Sequence, residues 1–101
     1  MKKLKKEWVG GSVKDFFDLS KADIEYIKLR RALSRLLREA RQEQHLTQVQ
    51  AAKRLHTSQS RLAKMEKADP TVSSDLLLQS LFQLGLTRKE LAQAIIFVEA
   101  D

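Results

Sequence analysis

Three polar residues in a row, Gln59, Ser60 and Arg61, follow a hydroxyl at Ser58 in the stretch HTSQSRLAK. Their side chains suit hydrogen bonding to nucleic-acid bases: Gln offers a bidentate amide for adenine, Arg a bidentate fork for guanine, and Ser bonds to either. The placement is also unusual. Ser58 reads as a helix N-cap, which puts Arg61 at the third helical position, where the positive end of the macrodipole favours an acid or an amide. Three other helix starts in the chain obey that preference. Ser20 is followed by Asp23, Thr47 by Gln50 and Thr87 by Glu90, each the pattern of a reciprocal capping box. Leu19 with Ile24, and Leu86 with Leu91, bracket two of these starts as hydrophobic staples. An external anion is the simplest compensation for a cation at the start of the helix after Ser58. A phosphate backbone supplies one.

The elements that must hold these residues are all helical. Pro70 is the only proline and the three glycines fall at 10, 11 and 85, so breakers are few and no strand pair is convincing. From Lys21 to about Gln44, the residues Tyr26, Leu29, Leu33, Leu36 and Ala40 recur at helical spacing and form the expected core stripe, with Arg31, Arg35 and Arg38 on another face. Further helices are predicted from Gln48 to Leu55 and from Gln59 to Lys67. After the KADPTV loop comes a leucine-rich helix capped by Ser73 and closed by Gly85, and last a helix from Arg88 to about Glu99 with Leu91, Ile95 and Val98 on one stripe. The expected fold is all-α: five helices over 21–101, preceded by a basic extension over 1–20. EWVGGSV in that extension could form a small hairpin or an arm, and MKKLKK reads as a solubilising tail.

Composition narrows the chemistry. The chain has 101 residues, 43% of them hydrophobic, and a net charge of +6, enough for one modest core. The charge is concentrated: residues 28–67 hold 11 Lys and Arg against 3 Asp and Glu, whereas residues 68–101 hold 2 against 5. A polyanion is the natural partner of such a middle segment. Cysteine is absent, which removes disulfides and thiolate chemistry and fits a reducing cytoplasm. No apolar run approaches the roughly 18 residues of a transmembrane helix, and no secretory signal is expected. His45 and His56 have no cysteine or acidic cluster beside them in sequence, so neither a metal nor a cofactor is expected, and no nucleophile stands at recognisable spacing from a base. His45 is placed to favour the negative end of the first helix.

The two short helices across LHTS, the first with small Ala51 and Ala52 where a neighbour crosses closely, make a helix-turn-helix candidate whose second member would enter a major groove. The stretch Leu46 to Gly85 resembles the helix-turn-helix domain of the Xre/Cro/C1 repressor family, in particular small antitoxin-like Xre regulators, through LTQ, AAKRL, SQS and KME. That resemblance implies base reading by Gln59, Ser60 and Arg61. It also implies phosphate contacts from Thr47, Gln48, Ser58 and Lys64, with Gln48 buttressing Gln59, and a structural ion pair between Arg41 and Glu66.

The chain departs from the family pattern at four places. His56 stands where Gly is usual and must accept positive φ; Thr57 replaces an apolar turn residue, Ala51 a Leu, and Val49 a polar residue. The function expected is a sequence-specific transcriptional repressor on double-stranded DNA, acting as a homodimer; its narrower form is an autoregulating antitoxin that shares an operon with a toxin partner. The alternative is a protein-interaction module that neutralises a partner protein. The aromatic and aliphatic excess at Phe16, Phe17, Ile96 and Phe97 points to a covered surface without saying which helix provides it.

Overall fold

The computed structural model describes residues 20–97. The expected hairpin at EWVGGSV, the basic start, Phe16, Phe17 and Val98 lie outside them. Five helices follow one another: α1 (Lys21–Glu43), α2 (Gln48–Arg54), α3 (Gln59–Glu66), α4 (Ser74–Gln83) and α5 (Arg88–Phe97). No strand occurs among the described residues. The fold is all-α; each helix begins at its expected residue, and α1 to α4 end within a residue or two of their expected limits.

Local chemistry accounts for the boundaries. Ser20 with Asp23 and Thr47 with Gln50 form complete capping boxes, and Thr87 exchanges the same pair of bonds with Glu90. Each satisfies two donors that a helix start would otherwise leave orphaned. The four interhelical connections repeat one device. His45, His56 and Ala68 have φ of 58°, 56° and 56°, and Gly85 has φ of 107°. In every case the N–H of the residue after this left-handed one reaches back to the third-last helical carbonyl: Leu46 to Arg41, Thr57 to Ala52, Asp69 to Lys64 and Leu86 to Leu81. These are Schellman turns. His45 therefore terminates α1 through its backbone conformation, a role that the dipole argument for it did not contain.

The core gathers Leu33, Leu37, Leu62, Met65, Leu77 and Leu81, all fully buried, with Ala51 and Ala52 beneath α2. α1 is the central element, packing against α3, α4 and α5, while α2 packs on α3. Ala51, where Leu is the commoner residue, is completely buried and lets the two short helices approach closely. The stripe expected on α1 needs correction at its amino-terminal end, because Tyr26 is 51% exposed and Leu29 is exposed too. The reason is length. α1 has 23 residues and α4 only 10, so the first turns of α1 run past the helices that could bury them. There Tyr26 makes a hydrogen bond with the Ser74 hydroxyl at 2.6 Å. Arg30 also secures this end, donating to the Asp69 carbonyl at 2.9 Å and to Ser74 at 3.2 Å.

Candidate nucleic-acid interface

α3 presents two sides of opposite character. Leu62 and Met65 are fully buried, and Glu66 lies with them. Gln59, Ser60, Arg61 and Lys64 are exposed along the first two turns. Helical spacing produces this division: Leu62, Met65 and Glu66 stand three and four residues apart and share the inner stripe. The turn before α3 sets its direction, and His56 carries it in the left-handed conformation.

The start of α3 is only half capped. The Ser58 hydroxyl accepts from the Arg61 N–H at 3.1 Å, but Arg61 has no carboxylate or amide with which to return the bond. Among the described residues the Arg61 guanidinium has no ion-pair partner, and α3 alone of the five helices has a cation at its third position. Ser58 and Ser60 hydroxyls lie 3.3 Å apart. Together with Arg61, Lys64, Thr71 and Val72 they line a hollow of about 180 Å³. Thr71 had no signal in helical periodicity, since it belongs to the loop after α3. Its N–H and hydroxyl both bond to the Asp69 carboxylate, at 2.8 and 2.6 Å, an Asx turn that the Asp-Pro-Thr sequence could have suggested. The same two bonds, the hydroxyl first, hold the Asp69 carboxyl below its ordinary range. The hollow therefore joins hydroxyls and cations, a donor set that suits an anion.

Beneath this surface the charges are paired. Arg41 grips Glu66 through two bonds, Nε to Oε2 at 2.6 Å and Nη2 to Oε1 at 3.0 Å, with only 2% of the Glu66 side chain exposed. The hydrogen bond to Glu66 raises the Arg41 pKa further. Arg41 also donates to the Leu46 carbonyl at 2.9 Å. Gln48 donates its amide to Glu66 Oε1 at 3.2 Å, so its amide engages the ion pair rather than Gln59. Arg38 stands 3.8 Å from the same carboxylate with half of its side chain in solvent. The cluster fixes the carboxyl end of α3, the end of α1 and the start of α2 to one another. Thr47 is exposed at that start, its hydroxyl accepting from the Gln50 N–H at 3.1 Å. Val49 is exposed beside it, as its position in the pattern suggests. No group of His, Cys, Asp and Glu able to hold a metal occurs among the described residues, and none of their helices is long and apolar enough to cross a membrane.

The site thus divides into a hollow at Ser58, Ser60, Arg61 and Lys64, a flanking Gln59, and a second exposed start at Thr47 above the buried cluster. A protein-family model described as a helix-turn-helix domain matches residues 16–95. No curated protein and no solved structure matches the chain.

Proposed function

The chain belongs to the helix-turn-helix domain family, and from that premise we propose that it is a sequence-specific transcriptional repressor of the Xre/Cro/C1 type, with α3 as its reading helix. The observation that carries the reading is Arg61: a cation at the positive end of α3, with no ion-pair partner among the described residues, in a hollow of hydroxyls beside Lys64. Docked in a major groove, α3 aims Gln59, Ser60 and Arg61 at base edges. Thr47, Gln48, Ser58 and Lys64 then hold the flanking phosphates, Gln48 through the second N–H of its amide while the first stays on Glu66. Two chains related by a twofold axis read two inverted half-sites about one helical turn apart. An antitoxin role beside a toxin partner is the narrower form of the same reading.

Selection of the protein against randomised DNA duplexes at near-physiological salt tests the proposal. Enrichment of one site, lost in Gln59→Ala and Arg61→Ala, supports it. Salt-sensitive binding to every duplex without enrichment removes specific recognition and leaves only the basic field.

A further inference from the structure

Two arginines of α1 are spent inside the bundle: Arg30 on the Asp69 carbonyl and Ser74, and Arg41 on Glu66 and the Leu46 carbonyl. Arg38, one turn before Arg41, is placed differently. Its guanidinium makes no hydrogen bond among the described residues, half of its side chain is in solvent, and its one ion-pair contact there, to Glu66 Oε1, is 3.8 Å long. That carboxylate is already satisfied. Arg41 donates to both of its oxygens and Gln48 to Oε1, so one guanidinium neutralises Glu66 and the other leaves a whole positive charge. A half-exposed pair at this distance contributes little, and Glu66 alone does not account for a cation at this position.

The surroundings supply the missing reason. Arg38 and Gln48 approach the same oxygen, Glu66 Oε1, at 3.8 and 3.2 Å, which seats the guanidinium beside the Gln48 amide where α1, α2 and α3 meet. Gln48 spends one amide N–H on that oxygen and keeps the other, while Arg38 keeps all of its donors. Above a neutralised Glu66 this is a set of free donors with one uncompensated charge, which suits an oxyanion. With α3 in a major groove, α2 crosses the sugar-phosphate backbone, so the oxyanion at hand is a phosphate. We propose that Arg38 is a phosphate-binding residue, its guanidinium sharing with the Gln48 amide one phosphate of the duplex docked on α3. This rests on the docking proposed above and extends the contact surface from the two short helices to α1. Glu66 then serves as the hub of the contact: its Oε1 fixes Gln48 directly and draws Arg38 to the same spot without consuming its donors.

The salt dependence of duplex binding by the full chain tests it. Phosphate contacts carry no sequence, so any duplex serves. Arg38→Ala is expected to weaken binding about tenfold at low salt and to reduce the slope of log affinity against log salt by about 0.9, the share of one phosphate. Arg38→Lys keeps the charge and therefore the slope. A purely structural role would instead lower the melting temperature and leave the slope alone; that temperature is expected to stay within about 3 °C of wild type in Arg38→Ala. On a selected site, a single uncharged methylphosphonate moved along the backbone locates the contact. At one position the wild type and Arg38→Ala should bind almost equally, and at that same position Gln48→Ala should differ least from wild type. A slope unchanged in Arg38→Ala overturns the proposal, and so does a selected site on which no such position exists. The two readings fail separately. Binding without any selected site, but with a lower slope in Arg38→Ala, refutes sequence reading by α3 and keeps this contact, whereas a selected site with the slope unmoved does the reverse.

Discussion

The starts of α3 and α5 are assembled from the same parts and finished differently. Each follows a left-handed turn residue, His56 or Gly85, and each has a hydroxyl cap. In α5 the Glu90 N–H donates to the Thr87 hydroxyl at 3.1 Å, and the Glu90 carboxylate accepts from the Thr87 N–H at 2.9 Å. In α3 the first bond is present at 3.1 Å, but Arg61 occupies the place from which the second would come. α5 is complete by itself, whereas α3 holds an exposed cation where helix electrostatics disfavours one. A helix start that keeps its cap, lacks the return bond and carries an exposed cation in its place fits the proposed reading, in which stability is exchanged for contact with an anion.

The largest expected effect tests whether α3 is anchored at its other end. Glu66→Ala leaves Arg41 in a mostly buried site without its bidentate partner and frees the Gln48 amide. We expect a loss of about 3–5 kcal/mol in unfolding free energy, read from denaturant midpoints, with sequence preference unchanged in whatever protein remains folded. An unchanged midpoint would mean that the underside of α3 does not hold it.

The outer side should respond in the opposite way. Arg61→Ala is expected to weaken binding to the selected site by about 1–3 kcal/mol and to relax preference at one base, while thermal stability stays within about 0.5 kcal/mol of wild type. Arg61→Glu sharpens the contrast with α5. It completes the box with Ser58 and raises stability by about 0.5–1 kcal/mol, yet repels phosphate and abolishes measurable DNA binding. If Arg61→Glu destabilised the fold, the comparison between the two helix starts would fail. Lys64→Ala should lower affinity for all duplexes alike and reduce the salt slope by about one unit.

How far the sequence revealed this arrangement depended on how local each feature is. The three capping boxes could be read directly, since cap and return residue are three positions apart. His56 was marked by its place in the family pattern, where glycine is usual. The left-handed conformations of His45 and Ala68 were not foreseen, because no glycine marks them and the need arises only when the next helix must turn back. The Tyr26 and Leu29 end of α1 was expected in the core because periodicity reports which side of a helix is apolar. It cannot report that α4 is too short to cover it. Thr71 was missed for a related reason: its closeness to Ser60 and Arg61 is set by how the loop after α3 folds back. The Arg41 and Glu66 pair, 25 positions apart, came from the family resemblance and had no signature in the spacing of the residues themselves.

The turns before α3 and α5 supply a smaller test of the same comparison. Gly85 adopts φ of 107° without strain, but His56 holds a left-handed conformation at 56° that an L-residue adopts at a cost of about 1–2 kcal/mol. His56→Gly removes that strain and adds unfolded-state entropy worth about 0.5–1 kcal/mol. The net expectation is a gain of up to about 1 kcal/mol in stability, seen as a higher melting temperature with DNA preference unchanged. A loss of stability would show that the His56 side chain makes a contribution its exposed position does not suggest. Ala68→Gly, in the turn that closes α3, should behave alike.

The smallest expected effect concerns pH and sits on α5. The Glu90 carboxyl is held below its ordinary value of 4.5, first by the Thr87 N–H and then by the Thr87 hydroxyl. A carboxyl whose pKa is lower folded than unfolded stabilises the fold above its ordinary value, and loses that contribution as pH falls through the folded one. Fully exposed, it should produce only a shallow decline in melting temperature below about pH 4.5. Glu90→Gln keeps a capping side chain but cannot titrate, so the decline assignable to α5 should vanish while stability near neutrality changes little. α3 has Arg61 at the matching position and should contribute no such slope. Installing one there, with Arg61→Glu, should therefore add a second acid-side decline of similar shape, and a variant whose pH profile matched the wild type would show that the box had not closed.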